Sequence, residues 1–298
     1  MKKTLAALLL LGMPALALAK LPVVASFSII ADMTRQIGGD RVEVVSLVGP
    51  DQDAHVFQPS PADIKKVSSA KVLVVNGLGL EGWMSRLGKA ANFRGVTVVA
   101  SKGIQTRQAP EEEHAEGEHD HSHGEVDPHA WHDPARVQTY IKNISAGLIQ
   151  ADPAGKAEYQ RRAADYAAKV KALDDWAKQQ FASVPAAKRK MLTSHDAFGY
   201  LGEHYQLQVL AVQGVSTDSE ASAKGVAQLT RQVRKEGVRA VFMENMTDAR
   251  LLKQLSAEAK VTIGGKLYAD ALSGPNGPAA GYLQLMRYNV ETIMKSFR

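Results

Sequence analysis

Residues 154–182 contain no proline and only one early glycine, Gly155. Ala, Lys, Glu and Gln dominate the stretch, and Tyr159, Tyr166, Val170, Leu173, Trp176 and Ala177 fall on one helical stripe. The pattern predicts a single helix of roughly 40 Å at 1.5 Å per residue. That exceeds what one lobe needs, so the helix reads as a rigid strut joining two halves. Bending it would break a continuous hydrogen-bond ladder, and small lobe tilts with local loop rearrangement are expected rather than a wide hinge.

The halves on either side share a texture. Before the strut, strands are expected at 23–29, 42–48, 71–75 and 96–99. The first runs into a helix that closes at Gly38-Gly39, and another helix is expected at 80–90. Ser60-Pro61-Ala62-Asp63 carries the marks of a helix start, with a Ser cap, Pro in the first turn and Asp at the capping-box position. Asp133-Pro134 opens a helix to about Gln150, and Asp152-Pro153 repeats the device. After the strut, strands are expected at 190–194, 207–212, 238–243 and 260–263, with helices at 197–205, 222–236, 248–259 and 281–296. Strand and helix alternating at short spacing predict an α/β fold of two lobes with mostly parallel sheets. No close repeat is visible between the halves, so any symmetry is structural only. The expected division is a signal peptide at 1–19, an N-terminal lobe at 20–150, a linking long helix at 151–187 and a C-terminal lobe at 188–298.

The signal peptide rests on Met1-Lys2-Lys3, the apolar run 5–19 and the small-x-small ending Ala17-Leu18-Ala19. No other stretch approaches the roughly 18 apolar residues that span a bilayer. Cysteine is absent, so disulfides and the usual lipid-anchor cysteine are absent too. The expectation is a chain released into the periplasm, soluble after signal-peptide removal and monomeric. The formal charge of +5 is mild and its basic residues are scattered, which gives nucleic-acid binding no support.

Of nine histidines, six lie in 111-EEEHAEGEHDHSHGEVDPHAWHDP-134. His114, His119, His121 and His123 sit among Glu, Gly, Asp and Ser, a composition with nothing to bury, and a mobile loop is expected over about 108–126. His129 and His132 sit in a frame stiffened by Pro128 and Pro134. Elsewhere, His55 lies between a strand and the Ser60-capped helix, His195 directly follows a strand, and Asp270 lies between a strand and Gly-Pro turns. Each sits where a strand gives way to the next element, the edge at which open α/β sheets place ligands. Alone, His55 reads as a loop histidine with one hydrogen bond, and Asp270 as a turn or cap residue. Together, three imidazoles and a carboxylate complete a tetrahedral shell of the kind zinc takes. Manganese leans more toward oxygen donors, and calcium or magnesium wants more carboxylates.

His132, three residues from His129, competes as a ligand or as a hydrogen-bonding support for one. His204, nine helical steps from His195, faces away and reads as structural. Glu244, ending a strand, reads either as a carboxylate supporting a ligand or as a cap. Trp131, Tyr268, Phe57 and Phe198 read as filling between the lobes. HExxH is absent, and Ser194-His195-Asp196 lacks the context of a nucleophile elbow. An enzyme remains the rival only if water, not Asp270, takes the fourth position.

Five segments, 51-DQDAHVFQPSPAD-63, 127-DPHAWHDP-134, 193-TSHDAFGY-200, 239-RAVFMEN-245 and 267-LYADALS-273, resemble the periplasmic solute-binding proteins of zinc and manganese ABC importers, the cluster A-I family. The resemblance implies two α/β lobes on one long helix, metal in the cleft, and ligands at His55, His129, His195 and Asp270. Histidine at the third position and the acidic His-rich loop are similar to the zinc branch, so Zn(2+) is the expected cargo, with Mn(2+) as the alternative. His132 replaces an apolar residue of the family pattern and offers an extra docking point for incoming metal. The implied partner is an ABC permease, with a periplasmic metal chaperone as a further candidate. A zinc buffer that never meets a permease is the remaining reading. His114, His119, His121 and His123 are expected to collect metal weakly for the tighter site.

Overall fold

A computed structural model describes residues 19–109, 126–218 and 223–297. The expected signal segment up to residue 18 and the tract bearing His114, His119, His121 and His123 lie outside the described residues.

The N-terminal lobe holds β1 (Leu21–Phe27), α1 (Ser28–Gly38), β2 (Val42–Val48), α2 (Pro61–Ser69), β3 (Val72–Val75), α3 (Met84–Ala90) and β4 (Val96–Val99). All four strands are parallel, in the order β2-β1-β3-β4. α4 (Pro134–Ala151) and the long α5 (Lys156–Ala182) follow. The C-terminal lobe then runs β5 (Lys190–His195), α6 (Gly199–Tyr205), β6 (Gln208–Gln213), α7 (Ala223–Glu236), β7 (Ala240–Glu244), α8 (Arg250–Ala259), β8 (Thr262–Leu267) and α9 (Tyr282–Phe297). Its parallel order, β6-β5-β7-β8, repeats that of the first sheet. The fold is therefore two α/β lobes joined by one long helix, and the halves share a topology that their residues do not advertise.

Local rules account for the boundaries. Ser60 and Asp63 form a reciprocal capping box with Pro61 in the first turn, and Asp133 caps α4 through the amide of Ala135. The second Asp-Pro pair behaves differently. Pro153–Gly155 forms a 3-10 turn without a side-chain cap. The Asp152 carboxylate turns to Arg41 Nη2 and Tyr159 Oη, both at 2.8 Å, because a guanidinium from the first lobe is a stronger partner than a helix amide. Trp176 also departs from the expected stripe. It is half-buried beneath the Arg287 guanidinium, 4.2 Å from its ring centroid, while Asp174 and Phe181 take buried places on α5.

One continuous apolar core crosses the lobe boundary, running from the first sheet through α1, α4 and α5 to α9 and the near side of the second sheet. A smaller core lies under α7 and α8. An interface this apolar holds the lobes in one arrangement more firmly than the polar contacts usual between domains. The carboxyl ends of both sheets meet across it.

Candidate metal site

Four segments deliver side chains to one point. His55 lies in the loop between β2 and α2, His129 beyond β4, His195 at the last position of β5 and Asp270 three residues past β8. One donor atom from each lies within 4.8 Å of every other. His55 Nε2 is 3.2 Å from His129 Nε2 and 3.3 Å from Asp270 Oδ2. His195 Nε2 is 3.1 Å from Asp270 Oδ2, and His129 Nε2 is 3.6 Å from Asp270 Oδ1. Donors placed tetrahedrally at 2.0–2.1 Å from an ion stand about 3.3 Å apart, so the group has the size of a coordination shell. His129, His195 and Asp270 are fully buried, and the His55 side chain is 5% exposed. His55 is thus the least buried of the four.

Each segment is held from behind. Asp127 Oδ1 accepts from the His129 amide at 2.9 Å and pairs with His129 Nδ1 at 2.8 Å. That leaves Nε2 for the site, as ligating histidines are ordinarily oriented. Asn76, after β3, donates to Pro128 O at 2.9 Å and accepts from Tyr140 Oη, fixing the residue before His129. Glu244, at the end of β7, does for His195 what Asp127 does for His129: it pairs with Nδ1 and accepts from the His195 amide. Asn289 on α9 brackets Tyr268 through both its amide and its carbonyl, which sets the Asp270 segment. The His55 loop is tied to the opposite lobe, with Thr217 Oγ1 donating to Asp53, Asn245 Nδ2 donating to Asp51, and the Asp51 amide donating to Leu272 O.

The charges suit a cation. Burial alone would push the Asp270 carboxyl up, yet His195 and His129 hold it well below the usual carboxylate range. Among the described residues neither of its oxygens meets another hydrogen-bonding group, and both face the imidazoles. Burial pulls the His195 imidazole down, but the Glu244 and Asp270 carboxylates outweigh it and hold it well above its ordinary value. For Asp127, burial raises the carboxyl, and His129 and Arg107 reverse the balance to a net lowering.

The other sequence candidates separate. His132 is fully buried between Trp131 and Phe198, its ring centroid 4.5 Å from that of Phe198, and it is not one of the four converging donors. His204 bridges Asp174 at 2.8 Å and Asp133 at 3.1 Å, a structural tie between α6 and the two helices before it. Trp131 fills the interface and donates to Ala269 O across it. Sequence reasoning missed Asp127, Asn289 and Asn76 as supports. Asp127 alone left a signal, a carboxylate two residues before a ligand-type histidine.

Comparison with known proteins places the chain in a family. A family model described as the periplasmic component A of a zinc-uptake complex matches residues 23–296. The iron-binding protein YfeA of Yersinia pestis is 33% identical, over 93% of this chain and 86% of its own length. The manganese ABC transporter substrate-binding lipoprotein PsaA of Streptococcus pneumoniae is 32% identical, over 92% of this chain and 88% of its own. A manganese-bound variant of the periplasmic metal-binding protein from Candidatus Liberibacter asiaticus superposes with a TM-score of 0.83 at 30% identity, covering 94% of this chain and all of that one. The chain belongs to the cluster A-I solute-binding proteins, non-catalytic periplasmic metal-binding components of ABC importers whose membership implies a cognate membrane permease.

Proposed function

We propose that this chain captures manganese(II) in the periplasm and delivers it to the permease of an ABC importer, with His55, His129, His195 and Asp270 as the metal ligands. The observation that carries the reading is the convergence of these four donors, from both lobes, at coordination-shell spacing. Manganese is favoured by the cargo named for PsaA and by the ion in the Liberibacter protein. The carboxylate adds a physical reason. Asp270 turns one oxygen toward His129 and the other toward His55 and His195, so it can supply two donors, and manganese accepts oxygen donors and higher coordination more readily than zinc.

Zinc is the second reading. Three imidazoles and one carboxylate suit a closed tetrahedral zinc site, and the matching family model describes a zinc-uptake component. Zinc also stands above manganese in general affinity for nitrogen donors, so tight zinc binding in vitro alone does not identify the cargo.

In this mechanism the protein selects and holds the ion without transforming it. Asp127 and Glu244 keep the His129 and His195 rings turned so that Nε2 meets the metal. Asp270 supplies the anionic donor, and His55, least buried of the four, completes the shell. The test is a competition titration of metal-free protein with manganese and zinc, joined to metal analysis of protein isolated from its own periplasm. Manganese in the isolated protein supports the reading. Zinc alone, with manganese failing to bind at micromolar concentration, overturns it in favour of zinc.

A further inference from the structure

Arg107 stands between the carboxylates that adjoin two ligands from opposite lobes. Its Nη1 donates to Asp127 Oδ2 at 2.8 Å, and Asp127 Oδ1 in turn holds the His129 ring and amide. The same Nη1 lies 3.8 Å from Oδ2 of Asp196, the residue after His195. That oxygen is buried and has no hydrogen-bonding partner among the described residues, and the guanidinium is the cation paired with it. The seat is shaped for the purpose. A Cβ on Gly199, the first residue of α6, would fall 2.0 Å from Arg107 Nη1 and 2.8 Å from Asp127 Oδ2. Tyr200, next on α6, accepts from the Arg107 amide at 3.0 Å and donates to Asp127 O at 2.9 Å. The side chain of Arg107 is itself only a quarter exposed.

We infer that Arg107 is a cross-lobe positioning residue, which holds the orienting carboxylate of His129 in place only while the α6 end of the C-terminal lobe is docked against it. Asp127 is fully buried. A buried carboxylate with one oxygen unmatched shifts or recruits another donor, and the donor within reach is the ligand His129. Arg107 keeps both oxygens occupied in fixed directions, and Asp196 and Gly199 keep Arg107 there. Separation of the lobes at α6 would remove the Asp196 charge and the Tyr200 bonds together, and His129 would lose its fixed aim. The docked state thus retains metal, and undocking speeds release by freeing His129 at the same time as it carries His195, the neighbour of Asp196, away from the site.

The inference rests on the metal-capture reading and deepens it. The experiment measures metal dissociation by stopped-flow trapping with a chromogenic chelator, using manganese and zinc separately, on full-length wild type, Arg107→Gln, Arg107→Lys, Asp196→Asn and the double variant Arg107→Gln/Asp196→Asn. Melting temperatures of the metal-free proteins are recorded beside the rates. Arg107→Gln is expected to raise the dissociation rate roughly 10–100-fold, the usual effect of removing support behind a metal-bound histidine, and Arg107→Lys to recover part of it. Asp196→Asn should speed release several-fold alone and add little to Arg107→Gln, because the two act through one contact. A dissociation rate for Arg107→Gln within twofold of wild type overturns the inference, as do effects of Arg107→Gln and Asp196→Asn that multiply independently. Should Arg107→Gln fail to fold, Arg107→Lys and Asp196→Asn decide: wild-type rates in both overturn it. A wild-type protein that binds neither metal would sink the capture reading itself, an outcome separate from any of these.

Discussion

Glu244 holds His195 at two points: one carboxylate oxygen pairs with ring Nδ1 and the other accepts from the His195 amide, and from that of Ser194, at 3.0 and 2.9 Å. The end of β7 is thereby bolted to the end of β5, and the ring is left one rotamer in which Nε2 faces Asp270. Glu244→Gln keeps the shape and removes the charge. Metal affinity should fall roughly 10–100-fold, read by competition against a chelator of known strength. Unchanged affinity would show that the strand end alone orients His195.

Metal uptake should release protons. In the metal-free protein burial lowers the His195 pKa, but the Glu244 and Asp270 carboxylates facing the ring outweigh it and raise it well above the ordinary value, which favours the protonated ring. That raised pKa stabilises the metal-free fold at low pH, fully so below the unfolded-state value, and the contribution is lost as pH rises through the folded value. Metal needs the neutral ring, so the ion and the proton compete and affinity rises with pH. Titration calorimetry at pH 7 in buffers of different ionisation enthalpy should give a slope of about one proton released per ion. A zero slope would mean that His195 is already neutral before metal arrives.

The segment bearing His114, His119, His121 and His123, with Glu111, Glu112, Glu113, Glu116, Glu118 and Asp120, is a further point of test. An imidazole without a fixed coordination geometry around it binds metal weakly and releases it, and a carboxylate-rich sequence concentrates cations nearby. Deleting 111–123 should leave equilibrium affinity at the four-donor site within about threefold and slow capture at submicromolar metal, by stopped-flow association. Equal association rates with and without the segment would remove the capture role.

Much of the architecture was legible because it is written in local code. β-branched runs located the strands, the Ser60-Asp63 box located α2, and the absence of proline after Gly155 located α5. Of the four converging donors, His195 was the most legible, because it ends strand β5, where the backbone presents side chains to a cleft; Asp270 follows β8 by three residues, while His55 and His129 lie in longer connections. What sequence could not show depends on distant partners. Asp152 looks like a helix cap until Arg41, far away in sequence, reaches it. Glu244 remains ambiguous until β7 is paired with β5. Arg107 carries no motif at all, since its importance arises only where the two lobes meet. The shared strand order of the two sheets was hidden for a similar reason: topology constrains which positions are apolar, not which residues fill them.

His132 makes a prediction of the opposite sign to His195. It is fully buried, and among the described residues neither ring nitrogen meets a hydrogen-bonding group. Burial, reinforced by His129 and opposed by Asp270 and Asp127, lowers its pKa to about 3. Between pH 6.5 and 3 the unfolded chain therefore takes up a proton that the folded chain refuses, and stability falls with pH by up to about 1.4 kcal/mol per unit from this group alone. His132→Leu removes that slope and the cost of an unpaired buried imidazole. In metal-free protein, urea unfolding should show the variant within about 1 kcal/mol of wild type at pH 8, and more stable by about 2 kcal/mol at pH 5. An identical acid slope in both proteins would mean that His132 is not held neutral by its surroundings. Because its nitrogens stand outside the converging set, metal affinity should stay within threefold of wild type. A loss beyond tenfold would instead show that this imidazole reaches the ion.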